Sequence, residues 1–205
     1  MGRFIAAFDV ATACGCADGV AGAGKPRFWT WYLSDAGEGR PRRLAYLRRF
    51  CDAYFAEQKV DEVVYELPMG IGTIARMMAA GKFKTSDEVL MTLRGAIGVL
   101  ECCAAHAGVP IVRGIEIKDA RKHLLGRATF KDGKAKEMTI RGCRSLGWEV
   151  ENDNEADAGA LWSLAVGQSN PLYAAATRAA LGDAPTPAAG SSRRRPAKPR
   201  DFFTI

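Results

Sequence analysis

The chain has 205 residues, 48% of them hydrophobic and 25% charged, with a formal net charge of +6. That length suits one catalytic-size domain, since single cores seldom grow beyond ~250–300 residues, and the composition excludes a disordered polymer or a fibre. No uncharged run approaches the ~20 apolar residues of a bilayer span and the N-terminus lacks a signal-peptide cleavage pattern, so a cytoplasmic location with no membrane partner is expected.

In chain order, residues 3–10 form a short apolar run that ends on an acid, and 15–21 and 27–33 are strand-length runs set off by Gly-containing breaks. Phe28, Trp29, Thr30, Trp31 and Tyr32 are strand formers, and three strands with short connections predict an antiparallel meander. Residues 39–58 read as a helix, with Leu44, Leu47, Phe50, Cys51, Tyr54 and Phe55 at three- and four-residue spacing and basic residues opposite. Residues 60–66 are a β-branched strand that again finishes on a carboxylate before Pro68. A Gly- and Met-rich segment, 69–84, leads into a helix over 86–107, and 109–113 is another strand. Strand, helix, strand at this spacing implies parallel pairing.

Residues 115–125 and 134–146 are expected as helices, and 153–167 as the last one. Pro, Ala, Gly, Ser and Arg dominate 182–200, a composition that cannot bury enough surface to order itself. The layout is an α/β fold with a mixed five-stranded sheet flanked by helices, the arrangement of ribonuclease H-like domains. It divides the chain into a body over 1–170 and a C-terminal extension over 171–205, disordered from about 182.

Charge is unevenly spread. Residues 113–141 hold nine basic and four acidic side chains, and the segment from 183 onward adds Arg193, Arg194, Arg195, Lys198 and Arg200. A basic segment and a basic tail on a slightly acidic body point to a polyanion, with nucleic acid the plausible one; a solvated charged face is the plainer alternative. The six cysteines include no C-x-x-C, and His106 and His123 are the only histidines. Zinc and a histidine-based triad are therefore disfavoured.

The acids carry more information. Asp9 closes the first strand and Glu66 the fourth, each directly after a run whose interior should be buried. Such an acid either marks the strand's exit into solvent or is paired or bound to a cation. At the last helix, Asn152 can cap with Glu155 three residues on. That cap leaves Asp157 unexplained, because Asp157 shares an inward stripe with Leu161 and Leu164. Asp153 lies about 40° from Asp157 around the helix, so both can use that face, while Glu155 points to the opposite side. Converging carboxylates are stable only if protonated or neutralised by metal, and oxygen-only donors suit Mg²⁺ or Mn²⁺. Two such ions would activate a water and stabilise the leaving oxygen of a phosphodiester.

These residues resemble the RuvC-like Holliday junction resolvases, particularly the phage and prophage branch. Three stretches carry the resemblance: Phe8-Asp9-Val10-Ala11-Thr12-Ala13-Cys14-Gly15-Cys16-Ala17, Val63-Val64-Tyr65-Glu66-Leu67-Pro68 and Asp153-Asn154-Glu155-Ala156-Asp157-Ala158. It implies a nuclease domain over 1–170, a homodimer, and paired nicks across a four-way DNA junction that leave 5′-phosphate and 3′-hydroxyl ends, with two Mg²⁺ per active site and Mn²⁺ as a substitute. It also implies Asp9, Glu66 and Asp157 as metal-binding catalytic acids. The fourth position is Asp153 or Asn154, since many relatives carry it three residues before the last acid. On the same resemblance Lys118 or Lys136 would be the catalytic lysine, Arg121, Lys122, Lys134 and Lys136 would be DNA contacts, and Met69 holds a position from which relatives wedge an apolar side chain into the junction. Two alternatives stand beside this reading: a non-catalytic or weakly active branched-DNA-binding protein of the same fold, and a sugar-kinase or actin-like ATPase, which lacks support in a visible phosphate loop or duplicated domain.

Overall fold

The computed structural model describes residues 2–81, 85–130 and 133–182. The expected meander is β1 (Phe4–Asp9), β2 (Ala13–Val20) and β3 (Arg27–Tyr32), paired antiparallel. A 3-10 turn at Leu33–Ala36 leads into α1 (Arg40–Glu57), which returns the chain to the sheet at β4 (Glu62–Glu66). α2 (Ile71–Ala79) and α3 (Asp87–His106) follow, then β5 (Ile111–Ile115). β4 and β5 run parallel to β1 and give the strand order β3-β2-β1-β4-β5. The remainder is helical: α4 (Ile117–Leu125), α5 (Ala135–Ser145), α6 (Asp153–Ser169) and α7 (Pro171–Gly182).

Three elements differ from the sequence expectation. β5 begins at Ile111 rather than 109, because Pro110 has no N–H for the ladder and the Val109 N–H is spent on the Ala104 carbonyl at the end of α3. Residues 71–79, read as part of a Gly/Met-rich connection, form α2, of which only Ile74 is buried. α7 lies beyond the expected end of the last helix, and its Tyr173 and Leu181 pack against the core of α6. The tail from 183, expected to be disordered, falls outside the described residues.

The sheet is covered on both faces, and side-chain alternation shows how. Ile5, Ala7, Ala17 and Val64 enter one core with Ala120, Leu124, Cys143, Leu161 and Trp162 of α4, α5 and α6. Ala6, Phe8, Cys14, Cys16, Val63 and Tyr65 enter the other with Leu47 and Cys51 of α1 and Leu100 and Ala104 of α3. This is why β1 and β4 read as apolar runs rather than alternating ones. α3 is the described helix long and apolar enough to cross a bilayer; its Ala96, Ile97, Leu100 and Ala104 are instead buried against the sheet and α1.

α6 lies close to β2 because that strand offers small residues on the shared face. A Cβ on Gly15 would sit 2.1 Å from the carbonyl of Asn154, and one on Gly159 of α6 would sit 2.9 Å from the Phe28 ring of β3. Backbone-to-strand approach of this kind needs glycine for lack of volume, not for its dihedral freedom.

Candidate active site

The alternation that builds the two cores also aims the acids. Asp9 follows Ile5 and Ala7 by two-residue steps, and Glu66 follows Val64, so both carboxylates leave the sheet on the α6 face. Phe8 pairs with Tyr65 across the parallel β1–β4 ladder, which sets Asp9 and Glu66 side by side one residue further on. Asp157 comes from the second turn of α6, the helix packed on that face.

The three side chains come within electrostatic reach of one another: Asp9 feels the charges of Glu66 and Asp157, and Glu66 that of Asp157. Burial first, then the Glu66 charge, pushes Asp9 up to about 9. Glu66 and Asp157 are also raised chiefly by burial, Asp157 against the pull of the Arg121 guanidinium. Asp9 and Asp157 are only 7% and 4% exposed. They are acids held in the core, not strand ends running into solvent.

Two cations attend them. Arg121 of α4 donates from Nε and Nη2 to the two oxygens of Asp157, at 3.1 and 2.7 Å, in a bidentate pair that is itself largely buried. Lys136, in the first turn of α5, donates to Asp153 and holds that carboxyl below the usual carboxylate range. Lys136 also exerts its charge on Asp9, Glu66 and Asp157.

The first turn of α6 is held by a polar net. Asn152 Oδ1 accepts from the Glu155 N–H at 3.0 Å, as expected of a cap. Glu155, 3% exposed, accepts from the Glu151 N–H at 2.7 Å and from Thr30 Oγ1 at 2.8 Å, and Asn152 Nδ2 donates to the same Thr30 hydroxyl. A capping glutamate ordinarily reaches the cap residue's own N–H. Here it bonds one residue earlier and also ties the helix start to β3.

The other sequence candidates lie around this centre. Lys118 stands exposed in the first turn of α4, and among the described residues no hydrogen bond or ion pair joins it to the carboxylates. Lys122 and Lys134 are also exposed, and Met69 is 45% exposed on the connection between β4 and α2. Asn154 sets its backbone on Gly15. Sequence reasoning missed the grip of Arg121 on Asp157, the Gly15 seat and the Thr30 link. The first carried the signal of a cation at helical spacing from Lys118 and Lys122; the other two had none, because β2, β3 and α6 are far apart in the chain.

The donor set fits a hard divalent cation: acid oxygens only, from two strand ends and one helix, with Asp9 and Asp157 buried, Glu66 half-buried, and Asp157 and Asp153 each paired to a cation. Among the described residues no three carboxylates are spaced as a ready-made cage. Asp157 is turned to Arg121 and Asp153 to Lys136.

No protein-family model matches the chain, and no curated protein matches it by sequence. Among solved structures it is similar to RuvC of Thermus thermophilus, with a TM-score of 0.55 and 18% identity over 89% of this chain and 98% of that one. The same protein in complex with a Holliday junction substrate gives 0.54 at the same identity and coverage. The yeast mitochondrial Holliday junction resolvase Ydc2 gives 0.51, at 12% identity over 88% of this chain and 82% of that one. These likenesses show the fold: a ribonuclease H-like α/β domain with a mixed five-stranded sheet, arranged as in RuvC.

Proposed function

We propose that this chain is a divalent-metal-dependent endonuclease that cuts branched DNA, with four-way junctions the leading substrate. The observation that carries the reading is the crowding of Asp9, Glu66 and Asp157, two of them buried and all three raised by burial, at one cation-lined end of the sheet, a crowding for which a nuclease supplies a reason. The fold's solved neighbours include a junction resolvase and RuvC bound to a Holliday junction substrate, which supports DNA as the ligand.

Asp9, Glu66, Asp157 and Asp153 are the residues that would hold Mg²⁺ or Mn²⁺, two per site. The ions would supply Lewis-acid activation of water and neutralise charge on the scissile phosphate. The chain's own groups do the rest. Arg121 and Lys136 bring two positive charges beside the acids, where an incoming phosphate meets them, and so favour the extra negative charge of an in-line displacement. Lys118, Lys122 and Lys134 are exposed near the same helices and serve backbone contacts. Exposed Met69 and Ile71 give the β4–α2 connection an apolar tip able to press on a base step. A homodimer, pairing the outer apolar residues of α2 and α3 such as Met78 and Met91, would set two sites for paired nicks leaving 5′-phosphate and 3′-hydroxyl ends.

The test is cleavage of synthetic four-way, three-way and linear substrates with Mg²⁺, Mn²⁺ or chelator. Asp9→Asn and Asp157→Asn are expected to lose at least about a hundredfold in nicking while still binding the junction; full nicking by either variant refutes the reading. A second reading, junction binding without cleavage, draws on the bidentate Arg121–Asp157 pair, which already neutralises one acid without metal. Binding without nicking in both Mg²⁺ and Mn²⁺ would select it.

A further inference from the structure

A second basic surface lies outside the segment that supplies Arg121 and Lys136. α1 carries Arg40, Arg42, Arg43, Arg48 and Arg49 within ten residues. Arg48 pairs with Asp52, but among the described residues Arg40, Arg42 and Arg43 have no ion-pair partner, and Arg40 reaches only the Met91 sulfur. Asp35 and Glu38 precede the helix without pairing to it.

The arginines are not there for the helix. Three of them crowd its first turn, which contains no acid, and cations at that end oppose the helix dipole. Nor do they fill the core, whose α1 contribution is Leu47 and Cys51, with Leu44, Tyr46, Phe50, Tyr54 and Phe55 beside them. Arg42 and Arg49, seven residues apart, share one stripe facing away from those residues. Arg42, Arg48 and Arg49 are exposed and Arg40 and Arg43 half-buried, so a concentration of charge that opposes the helix dipole remains open to an anionic partner.

Topology puts this surface at the carboxylate end of the sheet. β3 runs parallel to β1, so the chain leaves β3 at the end where Asp9 and Glu66 stand and enters α1 there. The Leu33 N–H donates to the Thr12 carbonyl at 2.8 Å, which ties the turn before α1 to the connection directly after Asp9. α4, α5 and α6 cover one face of the sheet and α1, with α3, the other, so the α4–α5 cations and the α1 arginines lie on opposite faces of the sheet.

We propose that Arg40, Arg42, Arg43 and Arg49 bind the sugar-phosphate backbone of a duplex DNA arm as it leaves the carboxylate site across the α1 face. The proposal takes its ligand from the nuclease reading above, and its charge complementarity is to phosphate rather than to any base. Such contacts add affinity and salt dependence without sequence preference.

The test is the salt dependence of binding, by fluorescence anisotropy in chelator, to a labelled four-way junction and to a linear duplex. Wild type is compared with an Arg40→Gln, Arg42→Gln, Arg43→Gln triple variant and with the corresponding triple Arg→Lys variant. Each phosphate that is no longer neutralised flattens the log–log slope by about 0.9, so the Gln triple should lose about 2 to 3 from the slope on both DNAs while the Lys triple keeps it. An unchanged slope in a Gln triple that unfolds at the wild-type temperature overturns the proposal, as does the same flattening in the Lys triple. Wild type that binds through these arginines yet nicks nothing upholds the proposal and removes the nuclease reading. Nicking by wild type with an unchanged Gln-triple slope does the reverse, and failure of wild type to bind DNA overturns both.

Discussion

Arg121 holds Asp157 by two parallel N–H···O bonds, 2.7 and 3.1 Å long, and both side chains are largely withdrawn from water. The pair joins α4 to α6 and makes the burial of Asp157 tolerable without any other ligand. Removing one partner of a buried pair leaves the other as an uncompensated charge.

Arg121→Gln is therefore expected to cost the metal-free protein about 3 kcal/mol, measured by urea unfolding in chelator. Added Mg²⁺ should recover more stability in the variant than in wild type, because an ion at Asp157 replaces the missing guanidinium. Equal recovery in both would separate Asp157 from metal binding.

The raised Asp9 carboxyl makes metal-free stability depend on pH. Asp9 titrates about 9 in the folded chain, while in the unfolded chain it ionises at its ordinary value of 3.8. Between those values folding takes up a proton, so the stability present at acid pH is lost as pH rises toward 9, at up to about 1.4 kcal/mol per pH unit. Asp9→Asn should flatten that slope. Unfolding curves in chelator across this range read it directly, and a wild-type slope no steeper than the variant's would contradict the upward shift of Asp9.

Gly15 is expected to tolerate no side chain. Gly15→Ala drives a Cβ into the Asn154 carbonyl and can be accommodated only by lifting the start of α6, at a cost of about 1–3 kcal/mol. That shift carries Asp153 and Asp157 away from Asp9, so on the proposed function nicking should fall while DNA binding, assigned to cations outside α6, holds. Calorimetric unfolding with parallel cleavage and binding assays checks both halves.

Thr30→Val tests the link from β3 to α6. The loss of its hydroxyl leaves buried Glu155 short of one donor and Asn152 Nδ2 of its acceptor. About 1–2 kcal/mol of destabilisation is expected by thermal unfolding, with Thr30→Ser restoring most of it.

Strand number, the antiparallel meander and the parallel strands were legible from the chain alone, and so were the strand-end places of Asp9 and Glu66 and the inward place of Asp157. Each has a local signature: apolar runs of strand length that end on Asp9 and Glu66, and a helical stripe on which Asp157 sits among leucines. Periodicities of two and near four residues are properties of neighbours, so they survive without coordinates. α2 was missed although Ile71, Ile74 and Met78 stand at three- and four-residue spacing, because Pro68, Gly70 and Gly72 made the segment read as a connection, and the start of β5 slid to Ile111 under the control of Pro110.

Which cation meets which acid was decided only by tertiary packing. Lys118, Arg121 and Lys122 are equivalent as sequence, and the crossing of α4 on α6 brings Arg121 to Asp157 while Lys118 stays exposed. The closeness of β2 to the first turn of α6, and with it the need for Gly15, likewise arises between segments separated by more than a hundred residues. Local sequence dictates the elements and the face each presents. The distances between side chains on different elements, and so the charge state of the acids, follow from how those faces close on one another.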